Sequence, residues 1–256
     1  MKVQVPVARL AVLASTLLLA VGAQAATSYG ALNTAAFAGS AVPNYADGVY
    51  MGNGIPNEDW TINTVGNVEV GLRAKNRGTF LPVNGSSGEY AFDAGLCNPT
   101  CTGGPKAWWN YEFSVNVRAD GTGTQDLTGY TVQVRVDTDR TTNTAFTAWT
   151  DVTVNWGDNA YWDGTGVDSR REGTGPAQAG EFGLQQSVNP LFGNSLFQPG
   201  FDPFASGLYG IQMRVLGANN ILVAGTGINV AVPEPTSLAL VGLALAGLAF
   251  GSRRKA

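Results

Sequence analysis

Tyr111, Phe113, Val115 and Val117 alternate with Asn110, Glu112, Ser114, Asn116 and Arg118. A period of two marks an extended strand with one dry face and one wet face. Asn110 to Arg118 is therefore expected to be a half-buried strand, with turn chemistry at Asp120-Gly121. The alternation returns in Tyr130 to Asp137: Val132, Val134 and Val136 face one way, and Gln133, Arg135 and Asp137 the other. The two segments predict an antiparallel hairpin with a long connection. Further strands are expected at Asn67 to Arg73 and Trp149 to Trp156. Tyr209 to Leu216 and Ile221 to Val230 predict a closing hairpin around Gly217-Ala218-Asn219-Asn220, since Asn tolerates the positive φ of such turns. Trp156 to Leu196 is weakly periodic and reads as a mostly long ordered loop, with Tyr161-Trp162 in polar surroundings.

No amphipathic helix and no repeat at a solenoid or propeller period interrupts this pattern. The central part is rich in Gly, Asn, Thr and aromatics, which favour strands and turns over helices. The expected fold class is all-β, an antiparallel β-sandwich of jelly-roll or Ig-like type.

Both ends break the alternation. Lys2 and Arg9 precede an apolar run from Leu10 to Val21, and Ala23-Gln24-Ala25 is a small-x-small cleavage site. Residues 1–25 thus read as a signal peptide removed by signal peptidase. Residues 26–231 form the exported domain, long enough to bury a core without staples. Residues 232–256 form a separate tail.

Charge sharpens once the ends are set aside. The whole chain has 15 bases and 19 acids; five bases and one acid lie in the ends, leaving ten bases, eighteen acids and a net −8. Such a surface repels nucleic acid, and none is expected as a partner.

Cys97 and Cys101 are the two cysteines. Outside the cytosol a close pair usually forms a disulfide. A redox or metal pair is the competing reading. It would need a βαβ setting or further ligands, and histidine, the commonest metal partner, is absent.

The lack of histidine also removes Ser-His-Asp, Cys-His and H-E-x-x-H chemistry, so no catalytic residue is assigned and no enzyme is expected. Carboxylate clusters at Glu58-Asp59, Asp137/Asp139 and Asp158/Asp163/Asp168 leave an Asp/Glu-dependent hydrolase as a minor alternative. No cofactor is expected, with calcium at Asp137 and Asp139 as the one candidate. A solvated strand end beside Arg135 or Arg140 explains the same residues. Trp60, Trp108, Trp109, Trp149, Trp156, Tyr161 and Trp162 form a large aromatic set. Trp108, Trp109 and Trp162 are candidates for stacking on glycan rings, against the alternative of core packing.

The tail has three parts. Pro233-Glu234-Pro235 ends sheet pairing and holds a glutamate in an extended spacer. Thr236 to Phe250 is uncharged and could form a helix. Its fifteen residues would rise roughly 22 Å, against a hydrocarbon core of about 30 Å. Arg253-Arg254-Lys255 closes it as a basic, cytoplasm-side tip. This arrangement resembles the PEP-CTERM sorting domain of exported proteins in Gram-negative bacteria that make extracellular polysaccharide. The resemblance implies recognition by an exosortase, a membrane enzyme that would cut near Pro233-Glu234-Pro235. It implies transient anchoring in the inner membrane through the C-terminal helix, then a secreted or cell-surface location. A structural or exopolysaccharide-associated role is the expected function, with a carbohydrate-binding module as the alternative.

Overall fold

The structure, a computed structural model, describes residues 27–33, 58–78, 87–97, 101, 104–154, 159–163, 170–173 and 175–234. The expected signal peptide and C-terminal helix lie outside these residues. Twelve strands form among those described. They are β1 (Ser28–Gly30), β2 (Trp60–Val65), β3 (Val68–Asn76), β4 (Glu89–Ala91), β5 (Trp109–Asn116), β6 (Thr131–Val136), β7 (Thr150–Asp151), β8 (Asn159–Trp162), β9 (Arg170–Gly173), β10 (Gly183–Val188), β11 (Gly207–Leu216) and β12 (Leu222–Val232).

They build the expected sandwich. One sheet runs β1-β2-β3-β5-β10-β8-β9 and the other β4-β12-β11-β6-β7. Pairing is antiparallel except between β4 and β12, which run parallel. The inner faces follow the period-two rule. Val70, Leu72, Phe113, Val115 and Leu184 of the first sheet meet Val132, Val134, Ile211, Met213 and Ile228 of the second in one buried cluster. Each such side chain adds about 1.5–3 kcal/mol relative to exposure.

The closing hairpin forms as expected: β11 and β12 pair from Gly207↔Val232 to Leu216↔Leu222. Its turn places Asn219 at φ 56° and Asn220 at φ 58°, the left-handed region that asparagine enters with least strain.

Three expectations are corrected. The strands at Asn110 and Tyr130 are not a hairpin: β5 sits between β3 and β10 in one sheet, and β6 pairs β11 and β7 in the other. The connection between them crosses the sandwich, and alternation reports a strand's faces, not its partner. The region from Trp156 to Leu196 is not mostly loop, because it contributes β8, β9 and β10, with Tyr161 and Trp162 buried in β8. Of Trp149 to Trp156, Thr150 and Asp151 alone are paired strand among the described residues.

β5 is also buried along its whole length, where one wet face was expected. Its outward side chains form a polar layer instead. Glu112 is fully buried between Arg73 and Lys75 of β3. Arg73 Nε donates to Glu112 Oε2 at 2.7 Å, Arg73 Nη1 donates to the Glu58 carbonyl at 2.7 Å, and its guanidinium lies 4.4 Å from the Trp60 ring centre. Asn110 donates to Ser187 Oγ, and Gln185 to Ser114 Oγ. Buried polar atoms are costly unless paired, and this layer pairs most of them across β3, β5 and β10, leaving Asn116 Nδ2 and Gln185 Oε1 without a hydrogen bond. Gly71 makes room beside it: a Cβ there would come within 2.7 Å of Leu32 Cδ2 and 3.0 Å of the Trp60 ring.

Candidate functional site

Pro233 and Glu234 follow directly on the paired end of β12. β12 is paired on both sides near its end, by β4 through Ala231↔Ala91 and by β11 through Val232↔Gly207. The Phe92 amide adds a hydrogen bond to the Ala231 carbonyl at 3.1 Å. Val232 is still buried, whereas Pro233 and Glu234 are exposed. Proline has no N–H to continue a ladder, so pairing stops there for a covalent reason. Pro235, Arg253, Arg254 and Lys255 lie outside the described residues.

This exit is rigidly backed. Trp109 lies at the centre of an aromatic group, stacked on Phe92 with ring centres 6.3 Å apart and edge-on to Phe197 and Phe201 at 5.8 and 5.9 Å. Tyr209, which pairs with Val230 beside the exit, stands 5.7 Å from the same ring. Aromatic pairs at these spacings add about 0.5–1.5 kcal/mol each beyond their area.

Glu234 borders a surface cleft lined by Thr138, Asp139, Arg140, Thr141, Phe204 and Ser206. Phe204 is 60 % exposed there. Asp139 lines the cleft, and Asp137 braces the turn beside it. Asp137 Oδ1 accepts from the amides of Asp139 at 3.0 Å and Ala145 at 2.7 Å. Asp139 Oδ1 accepts from the Thr141 amide at 2.8 Å. Hydrogen bonds from the Thr141 amide, then its hydroxyl, hold the Asp139 carboxyl below the usual range. Both side chains thus act as local turn braces. Among the described residues, no group of three His, Cys, Asp or Glu side chains is placed to hold a metal ion. Among those residues, Asp137 and Asp139 are not joined by a third carboxylate.

Cys97 and Cys101 form a disulfide, with Cα atoms 5.5 Å apart. The Cys101 amide donates to the Cys97 carbonyl at 2.7 Å, and the Cys97 amide to the Lys106 carbonyl at 3.0 Å. The staple fixes the strand-like bridge Leu96↔Ala107 just before β5.

The glycan-stacking candidates need correction. Trp109 and Trp162 are each 1 % exposed, so neither has a face for a sugar ring. Trp109 is committed to the aromatic group above, and Trp162 is buried in β8 opposite Gly183 of β10. Trp108 is half-buried.

Trp149, just before β7, is half-buried like Trp108 and meets two cations. The Arg135 and Arg214 guanidiniums lie 4.4 and 4.2 Å from its ring centre. The sequence carried half of this signal, since Gln133 and Arg135 mark the polar face of β6. Its other half, Arg214, is distant in the chain and joined only by register.

Among the described residues, no helix is long and apolar enough to cross a membrane. No curated protein matches the chain. One family model does match, over residues 231–255, a span that opens in the last paired residues of β12 and continues through the exposed Pro233 and Glu234. That match and the exposed exit agree, and the chain carries a PEP-CTERM protein-sorting motif, the recognition signal of an exosortase.

Proposed function

We propose that this protein is an exported, non-catalytic β-sandwich that an exosortase delivers to the surface of a Gram-negative cell, where it serves a structural, matrix-associated role. The observation that carries this reading is the exit of the sorting motif. Pro233 and Glu234 stand exposed immediately after the buried, doubly paired end of β12. A membrane enzyme can reach an extended, unpaired Pro-Glu segment, whereas a strand in a sheet offers no such access. On this reading, the apolar segment after Pro235 holds the chain in the inner membrane until cleavage. A hydrophobic run this short favours a transient hold over a permanent span.

The non-catalytic part of the reading draws support from how the acids are used. Glu112 is neutralised by Arg73 and Lys75, and Asp137 and Asp139 brace a turn. Neither arrangement sets two carboxylates across a cleft in the way glycosidic hydrolysis requires.

Cell fractionation tests the pathway. In a host lacking its exosortase, the full-length chain should accumulate in the inner-membrane fraction. In the parent host it should appear on the surface or in the medium. Equal surface delivery in both hosts would contradict the reading.

A further inference from the structure

The outward face of the five-stranded sheet carries a cationic, aromatic surface that sorting does not use. Register sets Arg135 opposite Gln212 and Gln133 opposite Arg214 across β6 and β11. Arg135 Nε and Nη2 donate to Gln212 Oε1 at 2.8 and 2.6 Å, and Arg214 Nε donates to Gln133 Oε1 at 2.8 Å. Trp149 lies against both guanidiniums, and Phe146 lies 4.5 Å from that of Arg135.

Two like charges held together on one ring are unfavourable unless an anion offsets them. Among the described residues, no carboxylate lies within 4.0 Å of either arginine. Asp151, opposite Gln133 on β7, has its Oδ1 engaged by the Thr153 amide and hydroxyl. The glutamines supply acceptors but no charge. In a domain of eighteen acids and ten bases, the two arginines are a local cationic cluster, with the Asp151 carboxylate in the same cross-strand row as Arg214.

The neighbouring column of the sheet is bare. Gly225 stands opposite Arg214, and Gly227 opposite Gln212. Gly225 is half-buried and Gly227 is exposed. A flat strip of backbone therefore lies beside a row of guanidinium and amide groups.

We propose that Arg135, Arg214 and Trp149 form a binding site for a carboxylate-bearing polysaccharide, a chain of uronic-acid type. Guanidinium forks match ring carboxylates in geometry and charge, and Trp149 keeps both forks aligned. Gln133 and Gln212 are positioning residues. The glycine strip accepts the flat face of a sugar ring, which side chains would block. This inference rests on the surface-protein reading for its setting, but it is read on purified protein, so its failure is distinct from a failure of sorting.

The test uses the full-length chain in detergent micelles. It is titrated calorimetrically with hexagalacturonate, its fully methyl-esterified form, maltohexaose and a six-nucleotide oligothymidylate. Hexagalacturonate should bind, quench tryptophan fluorescence and weaken as salt rises. Esterification should weaken binding about tenfold or more without altering the protein, since it removes the charge that both guanidiniums recognise. Arg135→Gln and Arg214→Gln should each weaken it about tenfold. No binding of hexagalacturonate would overturn the proposal. So would equal binding of the ester, of maltohexaose or of the oligonucleotide, or unchanged affinity in both arginine variants.

Discussion

The Phe92 amide bonds the Ala231 carbonyl two residues before Pro233, so the sandwich holds its last strand almost to the sorting motif. The motif is consequently presented by a rigid body. An enzyme that approaches Pro233 and Glu234 also meets the cleft of Thr138 to Thr141 and Phe204 to Ser206.

The packing under this exit is testable through Trp109. Its ring contacts Phe92, Phe197, Phe201 and Tyr209. Trp109→Ala should lower stability by about 3–5 kcal/mol, as truncation of a buried aromatic does. Denaturant unfolding checks this. Because the ring is buried, Trp109→Phe should leave any glycan binding of the folded protein unchanged.

The ionic layer predicts a pH dependence. Burial by itself would raise the Glu112 carboxyl, but Arg73 and then Lys75 outweigh it and hold it below its ordinary value of 4.5. The unfolded chain therefore binds this proton more tightly. Ionised Glu112 adds stability above that ordinary value, and the contribution is lost as pH falls through the lower folded value. Lys75 is pushed below 10.5 by burial, which Glu112 only partly offsets, so its contribution to stability rises as pH climbs toward 10.5. Glu112→Gln should lower stability at neutral pH by about 3–5 kcal/mol, because it strands two buried cations. Its stability should also fall less steeply with acid than that of the parent, as read from thermal midpoints between neutral and strongly acidic pH.

The β11–β12 turn makes a conformational prediction. Asn219 and Asn220 both hold positive φ. Asn219→Val should lower stability by about 1–2 kcal/mol, the approximate penalty of the left-handed region for a side chain branched at Cβ. Asn219→Gly should be close to neutral. Thermal unfolding of the pair separates backbone strain from lost contacts.

Reduction of Cys97–Cys101 should weaken the fold without abolishing it. The closed loop is short, with a sequence separation of 4, so chain entropy assigns it about 2 kcal/mol. The core is built without it, and a two-state transition should persist in reductant at a lower midpoint.

Legibility from sequence followed the physics of each element. The β11–β12 hairpin was readable because its alternation and its Asn-Asn turn agree. The hairpin expected between β5 and β6 does not form, because period two fixes which face is buried and leaves the neighbour open. β10 is hidden from sequence because Gln185, Gln186 and Ser187 look solvated; instead, Gln185 Nε2 donates to Ser114 and Ser187 accepts from Asn110 inside the layer. The sorting motif was legible because its chemistry is contiguous: prolines, an apolar run and bases in order. The Arg135–Trp149–Arg214 surface was not, because register assembles it from three separate strands and loops.

Intact-mass measurement of the protein recovered from the surface or medium of its native host tests the central claim most directly. Exosortase sorting predicts a mature chain that ends near Pro233-Glu234-Pro235 and lacks Arg253-Arg254-Lys255. A surface product that retains those three basic residues would contradict it.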